Sequence, residues 1–178
     1  ARSGYSRQGG FEIYLNGGHL GSAFWDAIWQ AGQAFNITPG CPNLIERIED
    51  GMLSYGNEFT RENNPFEIGH GKFCVIDGSI DYIGRAALQK IAAAGVTREI
   101  RGVAFDVGPC PTCSKPWPVM VEDRQVGQIT SAIWSPRLKH NVGQSMIDRG
   151  FWDGGQVVTV HVQDGSVSEG IVTALPMP

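Results

Sequence analysis

Little in this chain of 178 residues marks a specialised composition. It holds only four cysteines, Cys41, Cys74, Cys110 and Cys113, too few for a disulfide-built scaffold and in keeping with a reducing cytoplasm. It lacks an excess of basic charge: 14 Lys+Arg against 18 Asp+Glu leave a formal net charge of −4 and a pI near 5.5. That balance offers no general attraction to nucleic acid or to an anionic membrane surface. No apolar run approaches the roughly 20 residues of a transmembrane helix, and the opening residues do not read as a charged-then-apolar leader. P-loop spacing is missing, and no Ser/His/Asp or Cys/His arrangement suggests a hydrolase. No internal repeat or low-complexity stretch is visible. A cytoplasmic protein that binds neither nucleic acid nor membrane is the expectation.

What is present is a turn-rich globular chain, 42% hydrophobic, with 24 glycines and 10 prolines. It starts without Met and runs quickly into a strand pattern, whereas a natural domain usually opens on a looser tail. We therefore expect it to be the C-terminal part of something longer, or a truncated product. Phe11-Glu12-Ile13-Tyr14-Leu15 alternates with the period of a half-buried strand, placing Glu12 and Tyr14 together on the face opposite Phe11, Ile13 and Leu15. Leu20, Phe24, Ile28 and Ala31 predict an amphipathic helix over residues 19–31, stopped near Gly32. A second helix, through Leu44, Ile45, Ile48 and Met52, is entered at Pro42 and closed by Gly51. Thr60 to Pro65 reads as a loop, Phe73 to Ile76 as a strand before an Asp77-Gly78 turn, and Gly84 to Ala94 as a third helix.

From about Thr97 the pattern changes to short strands alone: Val103 to Phe105, Val119 to Val121, Gln128 to Thr130, Val157 to Val162 and Ile171 to Ala174. Such spacing predicts a small barrel or sandwich. We place a domain boundary near residue 96, with residues 1–96 and 97–178 as the two domains. Cys110-Pro111-Thr112-Cys113 has the spacing of half a metal knuckle, but no second pair exists and the four histidines are scattered. A proline-rich loop carrying two thiols is the simpler reading. Asn36-Ile37-Thr38 fits a glycosylation sequon by chance alone.

The segment Arg2-Ser3-Gly4-Tyr5-Ser6-Arg7-Gln8-Gly9-Gly10-Phe11-Glu12-Ile13-Tyr14 has the most chemical content. A carboxylate at Glu12 could accept paired N–H bonds from a guanidine-like edge, and Tyr14 beside it could cover a ring or a cation. Spacing by itself equally describes an exposed Glu-x-Tyr on a solvent face. The segment resembles the Gly-Tyr-Thr-Gly-Glu-x-Gly-x-Glu motif of the glycine-cleavage T-protein superfamily of tetrahydrofolate-dependent enzymes. Arg47-Ile48-Glu49-Asp50-Gly51 with Ser54-Tyr55-Gly56-Asn57, then Tyr82-Ile83-Gly84-Arg85-Ala86-Ala87-Leu88, then Val126 to Ser131 with Ser135-Pro136-Arg137-Leu138, resemble further motifs of the same family in the same order. They correspond to its C-terminal half.

This resemblance implies an α+β fold: the C-terminal part of a folate-binding domain followed by a small antiparallel Greek-key β-barrel. It implies tetrahydrofolate as cofactor, a small-molecule methyl donor, and an N-terminal half of the same enzyme as partner; oligomeric state stays open. Within the superfamily, Ser6 to Gly10, Gly40 to Arg47 and Thr60 to Pro65 look most like the dimethylsulfoniopropionate demethylases. The implied reaction is methyl transfer from a sulfonium sulfur to N5 of tetrahydrofolate, with the isolated chain inactive. Aminomethyl transfer, aryl O-demethylation and a non-catalytic folate-binding or interaction module are the alternatives. By the same resemblance Glu12 is the pterin-edge carboxylate, Tyr5 lines the pocket and Tyr14 faces the reacting centre as the catalytic candidate. The family's folate-contacting arginine falls on Asn43, which can hydrogen-bond but supplies no cation. Tyr55 is a weaker pocket candidate with core packing favoured, and Trp134 is core or pocket wall. Arg47, Glu49 and Arg85 are expected to pin helices and loops together.

Overall fold

The structure, a computed structural model, describes residues 9–41 and 43–177. The chain divides into two compact units, residues 1–43 and 44–178.

In the first unit a single turn of 3-10 helix, Gly18–Leu20, leads into α1 (Gly21–Gly32), followed by a second 3-10 turn, Gln33–Phe35. The helix ends where sequence periodicity stops it. Asn36 takes the left-handed conformation at φ 54°, and the Ile37 N–H returns to the Gly32 carbonyl. On α1, Trp25 and Trp29 stack at 6.2 Å between ring centroids, and no residue of the helix is buried. The strand expected over residues 11–15 is not formed; the segment is irregular. Alternation specifies a strand only where a neighbouring strand takes up its backbone hydrogen bonds, and the described part of this unit contains no strand.

The second unit opens with the short α2 (Leu44–Glu49), closed at Gly51 with φ 67°. A looped segment follows, then α3 (Arg85–Ala94), whose end is capped by the Gly95 N–H on the Ile91 carbonyl. The strand expected over residues 73–76 is likewise replaced, by a 3-10 turn at Gly71–Phe73 and irregular backbone after it. The rest is a closed antiparallel barrel of β1 (Arg98–Phe105), β2 (Trp117–Val121), β3 (Arg124–Ser135), β4 (His140–Asp148), β5 (Val157–His161) and β6 (Val167–Thr173), in the order β1-β4-β3-β2-β5-β6. Consecutive hairpins join β2, β3 and β4, while β1 lies against β4, which is the Greek-key arrangement expected. Closure leaves no unpaired edge.

The barrel interior is filled by Val103, Trp117, Val119, Ile129, Ile147, Val160 and their neighbours, with Phe105 meeting Trp117 edge-to-face at 6.2 Å. β4 is the strand that sequence reading passed over. Its residues Asn141, Gln144 and Ser145 are fully buried polar side chains, so its polarity concealed it. Gly127 pairs with Ile147 across β3 and β4, and a Cβ there would come within 2.7 Å of Ile147 Cδ1, with the Met146 carbonyl at 2.5 Å. Only glycine permits that approach.

Candidate functional site

Glu12 and Tyr14 lie on irregular backbone with both side chains exposed, Tyr14 at 80%. The pair is thus two residues apart on one extended stretch, but without the strand that was to orient it. A carboxylate can accept the N–H groups of an amino-pyrimidine edge and an accessible phenol ring can face a cation, so the chemistry of the two side chains fits the expected ligands. Asn43 is also exposed. Tyr5 lies outside the described residues.

Tyr55 departs from expectation. It forms an isolated bridge with Phe59, its ring meets that of Phe59 edge-to-face at 5.6 Å, and it is 63% exposed rather than packed in a core. What lies beneath this turn explains its position. Arg47, on α2, places its guanidinium in the interior: Nη1 donates to Glu58 Oε2 at 3.0 Å and to the Met52 carbonyl at 2.9 Å, and Nη2 donates to Ser131 Oγ at 2.7 Å. The Ser131 hydroxyl in turn donates to Glu58 Oε1. The Ser54 N–H reaches Glu58 Oε2 at 2.6 Å, and Gln144 of β4 donates to the Met52 carbonyl at 3.3 Å. Four segments therefore meet on one buried ion pair, and the Tyr55 ring stands on the turn it anchors.

A second pin runs parallel to the first. Glu49 accepts from Ser135 Oγ at 2.5 Å and from Arg137 Nε at 2.8 Å, while the same Ser135 oxygen accepts the Leu138 N–H. The Ser135-Pro136-Arg137-Leu138 motif thus closes the β3–β4 turn and ties α2 to it. Arg85 works similarly at α3, donating to the carbonyls of Ile76, Gly78 and Ile80. Trp134, opposite Asn141 on β4, is half-buried. Sequence reasoning missed Glu58: it sits in a polar run that reads as loop, and nothing local signals that its side chain is wholly buried.

The Cys110–Cys113 segment is a loop held at both ends. Asn141 donates to the Gly108 carbonyl and accepts the Cys110 N–H, and Gln163 accepts from Ser114 and from the Trp117 indole. Burial raises both thiols, Cys113 to about 11, with the charges of Cys110 and Glu58 adding to the effect. Such thiols are poor nucleophiles at neutral pH.

Two larger hollows lie in the second unit. One, of about 480 Å³, is bordered by Asp50, His70, Lys72, Glu99 and Arg101, with Arg101 and Glu99 paired at 2.7 Å. The other, of about 490 Å³, is apolar and lined by Phe73, Val75, Ile80, Tyr82 and Leu88. No helix of the described residues is long and apolar enough to cross a membrane.

The chain thus combines an irregular Glu-x-Tyr segment, a pinned α2 and a closed Greek-key barrel, and comparison with known proteins identifies its family. The GCVT N-terminal domain family matches residues 1–78, and the glycine cleavage T-protein C-terminal barrel domain matches residues 98–177. The chain belongs to the glycine-cleavage T-protein family. It is 50% identical over 165 residues to the dimethylsulfoniopropionate demethylase DmdA of Ruegeria pomeroyi, covering 93% of this chain and 44% of that protein. An aminomethyltransferase of Listeria welshimeri is 33% identical over 172 residues, covering 97% of this chain and 46% of its own length. The crystal structure of the glycine cleavage system aminomethyltransferase T from Bartonella henselae superposes with a TM-score of 0.76 at 22% identity, over 98% of this chain and 48% of that one. The chain spans about half the length of the curated relatives it matches.

Proposed function

We propose that this chain is the C-terminal portion of a tetrahydrofolate-dependent methyltransferase that takes a methyl group from a sulfonium donor, dimethylsulfoniopropionate, with residues near 96 marking the boundary between its folate-binding part and its barrel. The observation that carries the reading is the 50% identity to a dimethylsulfoniopropionate demethylase over 165 residues, against 33% to an aminomethyltransferase over a similar span.

The reaction asks little acid–base chemistry of the protein. The sulfonium carbon carries a leaving group that departs as a neutral thioether, so no side chain need protonate it. What the protein supplies is alignment and exclusion of water. Tetrahydrofolate would supply the nucleophilic nitrogen N5, which takes the methyl group as the S–CH3 bond breaks and gives up its own proton to water. In this reading Glu12 accepts the paired N–H groups of the pterin edge and fixes its rotation. Tyr14 presents its ring to the sulfonium, a cation–π contact worth about 0.5–2 kcal/mol. Tyr5, Asn43, Tyr55 and Trp134 are assigned to the walls of the same pocket. The barrel's contribution is to hold the Tyr55 turn through the Arg47–Glu58 pair.

The test is methyl transfer by the full-length protein with tetrahydrofolate and each donor in turn: dimethylsulfoniopropionate, an aryl methyl ether, and an aminomethyl donor. Turnover with the sulfonium alone is the expected result, and turnover with either other donor instead overturns the assignment. Glu12→Ala is expected to weaken tetrahydrofolate binding by about 10- to 100-fold, the cost of a charge-assisted hydrogen-bond pair, while leaving the fold intact. Unchanged affinity removes Glu12 from the site.

A further inference from the structure

An asparagine carboxamide is open to attack by the backbone nitrogen of the next residue wherever that nitrogen is uncrowded and only loosely bonded. Glycine, having no Cβ, crowds it least. Six of the seven asparagines in the chain are poorly placed for this. Asn64 precedes Pro65, which has no N–H to give. The N–H groups after Asn36 and Asn57 are held by the carbonyls of Gly32 and Ser54. Asn63 is engaged through its carboxamide with Thr60 and Glu67. Asn141 is buried and holds the Cys110 loop, and Asn43 is followed by the bulkier Leu44.

Asn16 differs in each respect. It is followed by Gly17 and Gly18, stands exposed on irregular backbone between the Glu-x-Tyr segment and α1, and its carboxamide makes no hydrogen bond among the described residues. The Gly17 N–H donates to the Leu15 carbonyl at 3.1 Å. That is the closure of a γ-turn centred on Asn16, one local bond that no helix or strand reinforces. Gly17 itself is held in place by the Leu20 N–H on its carbonyl, with φ at 123°, a conformation suited to glycine. The His19 ring lies against it: a Cβ on Gly17 would stand 2.8 Å from His19 Cε1 and 3.2 Å from Nδ1. An imidazole, the side chain that exchanges protons near neutral pH, is thus packed on the backbone of the attacking residue.

We propose that Asn16-Gly17 is a self-modification site, where the Gly17 nitrogen closes on the Asn16 carboxamide with the His19 imidazole as base and Asn16 becomes aspartate or isoaspartate. The bond formed joins Gly17 N to Asn16 Cγ, and the bond broken is Cγ–Nδ2. The Gly17 proton passes to His19 and on to the amide nitrogen, which leaves as ammonia. Water then opens the succinimide ring at either carbonyl, so water is the sole co-reactant. The product carries a new negative charge two residues beyond Tyr14, and its iso-form adds a methylene to the backbone between the Glu-x-Tyr segment and α1. The inference goes beyond the folate reading and does not depend on it, because no ligand takes part.

The test is incubation of this chain in mildly alkaline buffer, with peptide mass mapping of each asparagine and enzymatic detection of isoaspartate. Asn16 is expected to convert at least tenfold faster than Asn57, which is also exposed but precedes Glu58. His19→Ala is expected to slow the loss of Asn16 at least fivefold, and added imidazole to restore it. In urea, where the contact between His19 and Gly17 is lost, parent and variant should convert at the same rate. Conversion of Asn16 no faster than that of Asn57 overturns the proposal, as does an unslowed rate in His19→Ala. Slowing that imidazole does not reverse, or that persists in urea, overturns the assignment of His19 as base. Should circular dichroism show that His19→Ala has lost helix, the rate is read from His19→Gln instead, and an unslowed rate there overturns the proposal equally.

Discussion

Removing one partner of the Arg47–Glu58 pair should be among the most damaging single changes available in the second unit. Both side chains are withdrawn from water, at 7% and 0% exposure, and each satisfies groups on other segments. Arg47→Ala leaves the Glu58 carboxylate buried with only the Ser131 hydroxyl and the Ser54 N–H, and frees the Met52 carbonyl from its strongest donor. An uncompensated buried charge costs about 3–5 kcal/mol. For a unit of this size each kcal/mol lowers the melting temperature by about 3–4 °C, so the expected fall is about 10–20 °C, read by circular dichroism of the barrel strands. The double change Arg47→Met with Glu58→Leu removes both charges together and should cost clearly less than the sum of the two single changes, since no charge is stranded. Strict additivity, or a fall of less than about 3 °C for Arg47→Ala, would show that water reaches the pair and that it does not hold the Tyr55 turn.

Three other outcomes follow from particular contacts. Gly127→Ala is expected to destabilise the barrel by about 1–3 kcal/mol in urea unfolding, because the added methyl meets the Met146 carbonyl and Ile147; an unchanged midpoint would mean that β3 and β4 can part without cost. Alkylation of Cys113 should be slow at pH 7.5, where a thiol near 11 is ionised in roughly one molecule in 3,000, and should rise about tenfold per pH unit until it levels near 11. A plateau near 9 would contradict the burial effect. The sign for stability follows: the unfolded chain releases this proton near its ordinary value of 9.0 while the folded chain retains it to about 11, so this group's contribution favours folding less as pH rises through that window; Cys113→Ala should flatten that part of the pH profile, and an identical profile would assign the loss to other groups.

Which parts of the molecule could be read from its sequence depends on where each segment finds its hydrogen-bond partners. α1, α2 and α3 close their bonds within themselves, and their apolar spacing with Gly32, Gly51 and Gly95 at the ends located them. Five barrel strands were legible because their inward residues are Val, Ile and Phe. β4 was not, because buried polar side chains stand on both of its faces: Asn141 holds the Cys110 loop, Gln144 on the opposite face reaches α2, and Ser145 is buried as well. Residues 11–15 and 73–76 carry the alternation of strands yet adopt none. Periodicity records the face a segment is built to bury, and backbone pairing must come from elsewhere. Of the candidate residues, Glu12 and Tyr14 stand on one of these two irregular segments, and the apolar groove borders the other. Pairing of 11–15 with a further strand would give Glu12 and Tyr14 the common face that their spacing prescribes. Hydrogen exchange at the amides of residues 11–15 then gives a direct reading: slow in a full-length chain and fast in this one. Fast exchange in both would separate the Glu-Tyr pair from any sheet, and with it from a fixed orientation toward folate.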